Sequence, residues 1–149
     1  MRQLSFIGWI TILCMLASAC QNGPHKASSA NELSLVGTKW KLVELAGQVV
    51  VPKPGTNEFS FLQLSSDGKF SAFAGCNRFS GKYDQNEGTA IRFMTMASTR
   101  MACVDMKTEQ IFREELKGVS SFTIKKTTLT LNSADEVKLA RFEAVTESK

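Results

Sequence analysis

Between residues 37 and 145, apolar and polar residues alternate in short runs broken by glycine, proline and acid-glycine turns. That is the period of half-buried strands, not of helices. GTKWKLVELAG (37–47) reads as a first strand closed by glycine. Pro52 and Pro54 then forbid regular pairing, so Gln48 to Asn57 is a loop with at most an edge segment. FSFLQL (59–64) and KFSAFA (69–74) flank SSDG, and Asp67 with Gly68 supplies the backbone freedom of a tight reversal, so these two runs form a hairpin. GCNRFSGKY (75–83) reads as a polar loop with a cysteine between two glycines. A second reversal falls at Asn86 to Gly88, followed by TAIRF (89–93) and an unbroken run to Cys103.

The period changes at Asp105. In DMKTEQIFREELKGV, Ile111, Phe112, Leu116 and Val119 recur at helical spacing, with Asp105 placed to cap the start and Gly118 to end the helix. Strand patterns return in SFTIKKTTLTL, where Lys125 and Lys126 mark an exposed turn. They continue past a turn at Asn132 to Asp135, and Leu139 and Phe142 break strict alternation as a bulge does. The expected fold is α+β and mainly antiparallel β: a small curved sheet or half-barrel of about seven strands with one helix before the last three.

The N-terminus follows a different rule. Arg2 precedes LSFIGWITILCMLASA (4–19), 16 residues without charge, which is short for a bilayer-spanning helix and ends in small residues. Residues 1–19 are therefore expected to be a signal peptide. LASAC (16–20) resembles the bacterial lipobox, with Ala17 where leucine is more usual. That resemblance implies an acylated Cys20 as the first mature residue, and Gln21 after it implies the outer membrane, the domain facing the periplasm. Ordinary cleavage after the Ala17-Ser18-Ala19 pattern, giving a plain secreted protein, stays open as the alternative. Residues 20–34 form a Gly, Ser, Pro and Asn tether, and 35–146 the domain.

Composition narrows the chemistry. The 149 residues carry 18 basic and 14 acidic side chains, and cleavage after Ala19 leaves 17 against 14 with the charges dispersed, which excludes a nucleic-acid surface. The one histidine, His25, lies in the tether, so the domain holds no histidine to act as a base. Of four cysteines, Cys14 leaves with the signal and Cys20 takes the lipid. Cys76 and Cys103 remain, most simply as a disulfide in an oxidising compartment, the competing reading being two reduced apolar fillers. Two thiols without histidine do not make a zinc site, and no other metal or cofactor is expected. Nine of the ten phenylalanines lie beyond the signal and read mostly as core, or as the wall of a cavity if the sheet is hollow.

Trp40, the Gly75-Cys76-Asn77 run with Gly81 and Tyr83, the Thr99-Arg100-Met101-Ala102-Cys103 run, and Glu109 with Phe112 together resemble the META domain, or HslJ-like, family over about 35–145. The resemblance implies a small antiparallel barrel or half-barrel with a helix, often in outer-membrane lipoproteins linked by name to heat shock. A similar fold occurs in secretin pilot lipoproteins, which bind lipid or a partner's tail. It implies no catalytic residues, so Cys76, Asn77 and Cys103 carry over as structural. Gly75 and Gly81 suit sharp turns, Asn77 a left-handed residue or one bonded to its own loop, and Tyr83 a buried ring with a satisfied hydroxyl. Thr99 and Met101 complete the motif. Arg78 and Arg100 flank the cysteines as candidate partner contacts, against the ordinary reading of two solvated arginines. The expected function is a non-enzymatic envelope protein that binds a hydrophobic ligand or a protein segment under envelope stress or drug challenge. The alternative is a pilot-like assembly chaperone.

Overall fold

The computed structural model describes residues 33–52 and 58–146. The signal segment and the acylation site assigned to Cys20 lie outside the described residues. The described residues form one antiparallel sheet around one helix. The strands are β1 (Lys39–Leu45), β2 (Gln48–Val49), β3 (Phe61–Leu64), β4 (Lys69–Phe73), β5 (Arg78–Gln85) and β6 (Ile91–Ser98). Helix α1 (Lys107–Gly118) follows, then β7 (Ser121–Lys125), β8 (Thr128–Asn132) and β9 (Lys138–Ala144). Their spatial order is β6-β5-β4-β3-β1-β9-β8-β7, with β2 paired only to β1.

The sheet curls until its two ends meet. A bridge joins Ala90 to Ser121, the Ile91 N–H donates to Ser120 O at 3.1 Å, and the Phe122 N–H donates to Thr89 O at 2.9 Å. Helix α1 packs against β1, β6 and β9. Inward positions alternate along each strand as the pleat requires: Trp40 and Leu42, Leu62 and Leu64, Phe70 and Ala72, Leu129 and Leu131, Ala140 and Phe142 are all buried. Phe112 and Leu116 add the apolar stripe of α1, and the Phe79 and Phe112 rings stand 5.9 Å apart. The interior is therefore packed with side chains, which answers the choice between a filled and a hollow barrel.

Three sequence expectations need correction. First, GCNRFSGKY is not a loop throughout, because Arg78 onward is β5. Second, α1 starts one residue beyond the expected cap: Met106 holds the cap position, and Asp105 serves from upstream, accepting the Lys107 N–H at Oδ1, 3.0 Å. Gly118 is the last helical residue, and the chain leaves through Val119 in an extended conformation (φ −67°, ψ 131°), anchored by burial of that side chain.

Third, Gly81 makes no sharp turn. It lies inside β5, opposite a bulge in β6 where Thr95 (φ 34°) is the extra residue. A Cβ on Gly81 would collide with the Thr95 carbonyl oxygen and meet Phe70 Cε1 at 2.7 Å. The position is glycine because the neighbouring ring and the bulged backbone occupy its side-chain space. Gly81→Ala is therefore expected to destabilise the domain by about 1–3 kcal/mol, the range for forced overpacking. A urea midpoint within error of wild type would show that the bulge relaxes freely.

The bulge expected near Leu139 is present. Leu131 pairs with Ala140 and Asn132 with Lys138, which leaves Leu139 as the extra residue of β9. On the other side of β9, Glu44 of β1 receives Arg141 Nε at 3.0 Å and also pairs with Lys138. Hydrogen bonds from Lys138 and then Arg141 hold the Glu44 carboxyl below its ordinary value of 4.5. This strap fastens the two strands at the centre of the sheet.

Candidate functional site

Two features lie side by side around the start of β5: a buried polar cluster beneath the sheet end and a row of rings and cations on its outer face.

The cluster begins at Gly75, whose φ of 105° lets the chain leave β4 and turn into Cys76. The Cys76 and Cys103 sulfurs are bonded, with Cα atoms 6.2 Å apart, joining the start of β5 to the link between β6 and α1. Asn77 follows and is 1% exposed. Its Oδ1 accepts the Thr99 hydroxyl at 2.7 Å and the Met101 N–H at 2.8 Å. Its Nδ2 donates to Glu109 Oε1 at 3.0 Å, to Glu109 Oε2 at 3.1 Å and to the Met101 carbonyl at 3.3 Å. The Asn77 N–H also donates to Glu109 Oε2, at 2.8 Å. Asn77 thus bonds mainly across the fold, with a longer contact from Nδ2 to Cys76 Sγ in its own loop at 3.7 Å, and it is not in the left-handed region.

Glu109 is 2% exposed and sits in the first turn of α1, where the helix dipole favours a carboxylate. Arg113, one turn on, stands 3.9 Å away and donates to Ser98 Oγ at 2.8 Å. Every donor that reaches Glu109 is fixed by backbone or by a second bond, so the carboxylate is held in place with its lone pairs engaged. Thr99 works in both directions, since its Oγ1 also accepts the Arg78 N–H at 3.1 Å. Met101 contributes through its main chain, and the residue as a whole is exposed. Tyr83 is half-buried and donates its hydroxyl to Ser65 O at 2.9 Å. Burial, and then the nearby Asp67 charge, push its phenol above the ordinary value.

The outer face carries the second feature. Strand register sets Lys41 beside Phe61, Phe61 beside Phe73 and Phe73 beside Arg78, one straight row across β1, β3, β4 and β5. Its rings already carry cations. Lys39 Nζ lies 4.4 Å from the Phe61 centroid and 5.2 Å from that of Phe59, and the Arg78 guanidinium lies 5.4 Å from that of Phe73. Phe59, Phe61 and Phe73, with Lys39, Glu58 and Arg78, line an open concavity of about 190 Å³. Beside it a second concavity of about 290 Å³ is bordered by Lys41, Phe59, Phe73 and Asp105.

Of the two candidate contacts, the structure brings Arg78 into this row. Arg100 is exposed and is not part of it. Sequence reasoning misses the row because it assigns phenylalanine to the core. The signal is parity: in FSFLQL, Phe59 and Phe61 fall opposite Leu62 and Leu64. Glu109 stands out in the sequence only as a matching position, not as the buried partner of Asn77.

The family model for the META domain matches residues 33–146. The chain is similar to a protein from Burkholderia xenovorans solved by NMR, with 26% identity, 76% of this chain and 85% of that one covered, and a TM-score of 0.60. A second protein solved by NMR shares the fold at 22% identity, with 71% and 88% covered and a TM-score of 0.56. No curated protein matches. The family match spans the whole sheet, the stapled cluster and the helix that supplies Glu109, and on that ground the chain belongs to the META domain family.

Proposed function

We propose that this protein is a non-enzymatic lipoprotein of the outer membrane that binds a protein segment on the outer face of its sheet, in an envelope-stress or drug-resistance role. One observation carries the choice of face. The interior is packed by Trp40, Leu62, Phe70, Phe112 and Phe142, all no more than 2% exposed, while the ring-lined concavities are open to solvent. Apolar sites for drug-sized ligands are enclosed clefts of about 300–1,000 Å³. The reading as a binding protein and not an enzyme is supported by Glu109, the buried carboxylate, whose oxygens are already taken by Asn77. An acid or base in catalysis has to reach a reacting proton. The anchor rests on the LASAC sequence and its polar tether.

A photo-crosslinking residue in place of Phe61, in the full chain in its own envelope, is expected to give one discrete protein adduct. The Cys20→Ala variant should move to the soluble periplasmic fraction. An absent adduct, together with saturable fatty-acid binding that raises the melting temperature of delipidated protein, would replace this reading with a small-ligand one. A stable, stoichiometric complex that forms before an envelope component assembles would favour the pilot-like alternative.

A further inference from the structure

Resting on that reading of the outer face, we infer that the row Lys41, Phe61, Phe73 and Arg78 binds an extended acidic protein segment. The segment bears carboxylates four residues apart with an apolar side chain midway between them. The four residues stand on neighbouring strands in one line perpendicular to them, with a cation at each end and rings in the middle. Three inter-strand steps of about 4.8 Å separate the backbones of Lys41 and Arg78 by about 14 Å, and their flexible side chains lean over Phe59 and Phe73 in the unbound protein. An extended chain rises about 3.3 Å per residue, so carboxylates at i and i+4 stand about 13 Å apart on the same side as residue i+2. The spacing of the row and the spacing of such a segment coincide.

Charge points the same way. Lys39, Lys41 and Arg78 face this strip against Glu58, whose carboxylate stands 3.8 Å from the guanidinium, and Asp105, which borders the adjoining concavity. Both members are about two-thirds exposed on their side chains (64% and 66%), so the pair is weak and a partner carboxylate can take the place of Glu58. Glu143, the register neighbour of Lys41 on β9, has its own cation, Arg141, at 3.9 Å.

The strip also discriminates between partners. It crosses β3 and β4, whose ladders are filled on both sides, so a partner reads side chains and does not add a strand.

The test uses full-length protein and fluorescein-labelled peptides read by anisotropy. The probe is Ser-Glu-Ser-Leu-Ser-Glu-Ser. The controls are Ser-Lys-Ser-Leu-Ser-Lys-Ser and Ser-Ser-Glu-Leu-Glu-Ser-Ser, which closes the carboxylate spacing to two residues. The acidic i, i+4 peptide is expected to bind at least tenfold more tightly than the basic one and several-fold more tightly than the close-spaced one, with affinity falling as salt rises. The double variant Lys41→Glu/Arg78→Glu, checked for an unchanged melting temperature, should reverse the preference and bind the basic peptide. Equal binding of all three peptides, no binding, or no reversal in the double variant would overturn the inference. So would tighter binding to vesicles of anionic phospholipid or to an anionic polysaccharide. A protein adduct at Phe61 without any acidic preference would sink this inference and leave the proposed function standing.

Discussion

Replacing Asn77 with alanine is expected to cost about 3–5 kcal/mol, a large share of the stability of a domain this size. The substitution removes the Nδ2 bonds to Glu109 and leaves the Thr99 hydroxyl and the Met101 N–H without their acceptor. Glu109 keeps only the residue 77 backbone N–H at 2.8 Å and the more distant Arg113. A buried carboxylate stripped of its donors is far more damaging than a lost surface bond.

The companion variant Asn77→Asp separates this account from one based on backbone conformation. Aspartate tolerates turn geometries as well as asparagine does, so a conformational role predicts a mild effect. The cluster predicts the opposite at pH 7, because two carboxylates would face each other without water. Like charge raises the folded-state pKa of one of them above its unfolded value, so the penalty is full at high pH and fades as the pH falls through that range. Urea unfolding between pH 4 and pH 8 reads the difference. Near-wild-type stability of Asn77→Asp at every pH would end the cluster account.

Where local pattern and tertiary packing agree, the fold is legible in the order of the residues alone. The β3–β4 hairpin shows Leu62 and Leu64 against Phe70 and Ala72 with a glycine at positive φ between them, and α1 shows its stripe at Phe112 and Leu116. β5 is hidden for a physical reason. Its inward positions are Phe79, Gly81 and Tyr83, and the apolar group at the middle one comes from Phe70 on the next strand, so alternation breaks in the sequence but not in space. Glu109 is hidden in the same way. A charged residue in the first turn of an amphipathic helix reads as solvated, and its partner lies 32 positions earlier. The outer row is legible only by asking which face each phenylalanine of the hairpin occupies.

The cluster and the staple hold the same two segments, and they act on opposite sides of the folding equilibrium. Breaking the Cys76–Cys103 bond releases a loop of 27 residues in the unfolded chain, worth about 3.5 kcal/mol in the chain-entropy account. In the folded state Asn77 still grips Thr99, Met101 and Glu109, so the native geometry should survive. Cys76→Ser is therefore expected to lower the melting temperature by about 15 °C, and Cys76→Ser/Cys103→Ser by nearly the same amount, because either change removes one bond. Reductant should lower the wild-type transition to match and leave both variants unmoved. The cost of Cys76→Ser should also add to that of Asn77→Ala, since one raises the entropy of the unfolded chain and the other removes contacts from the folded one. A disulfide that instead positioned the cluster would make the two losses overlap, and the double variant would be little worse than Asn77→Ala alone. Thiol labelling of denatured, unreduced protein from the cell envelope provides the chemical control: reactive Cys76 and Cys103 before reduction would mean the bond is absent in the cell, and the entropic account would fall with it.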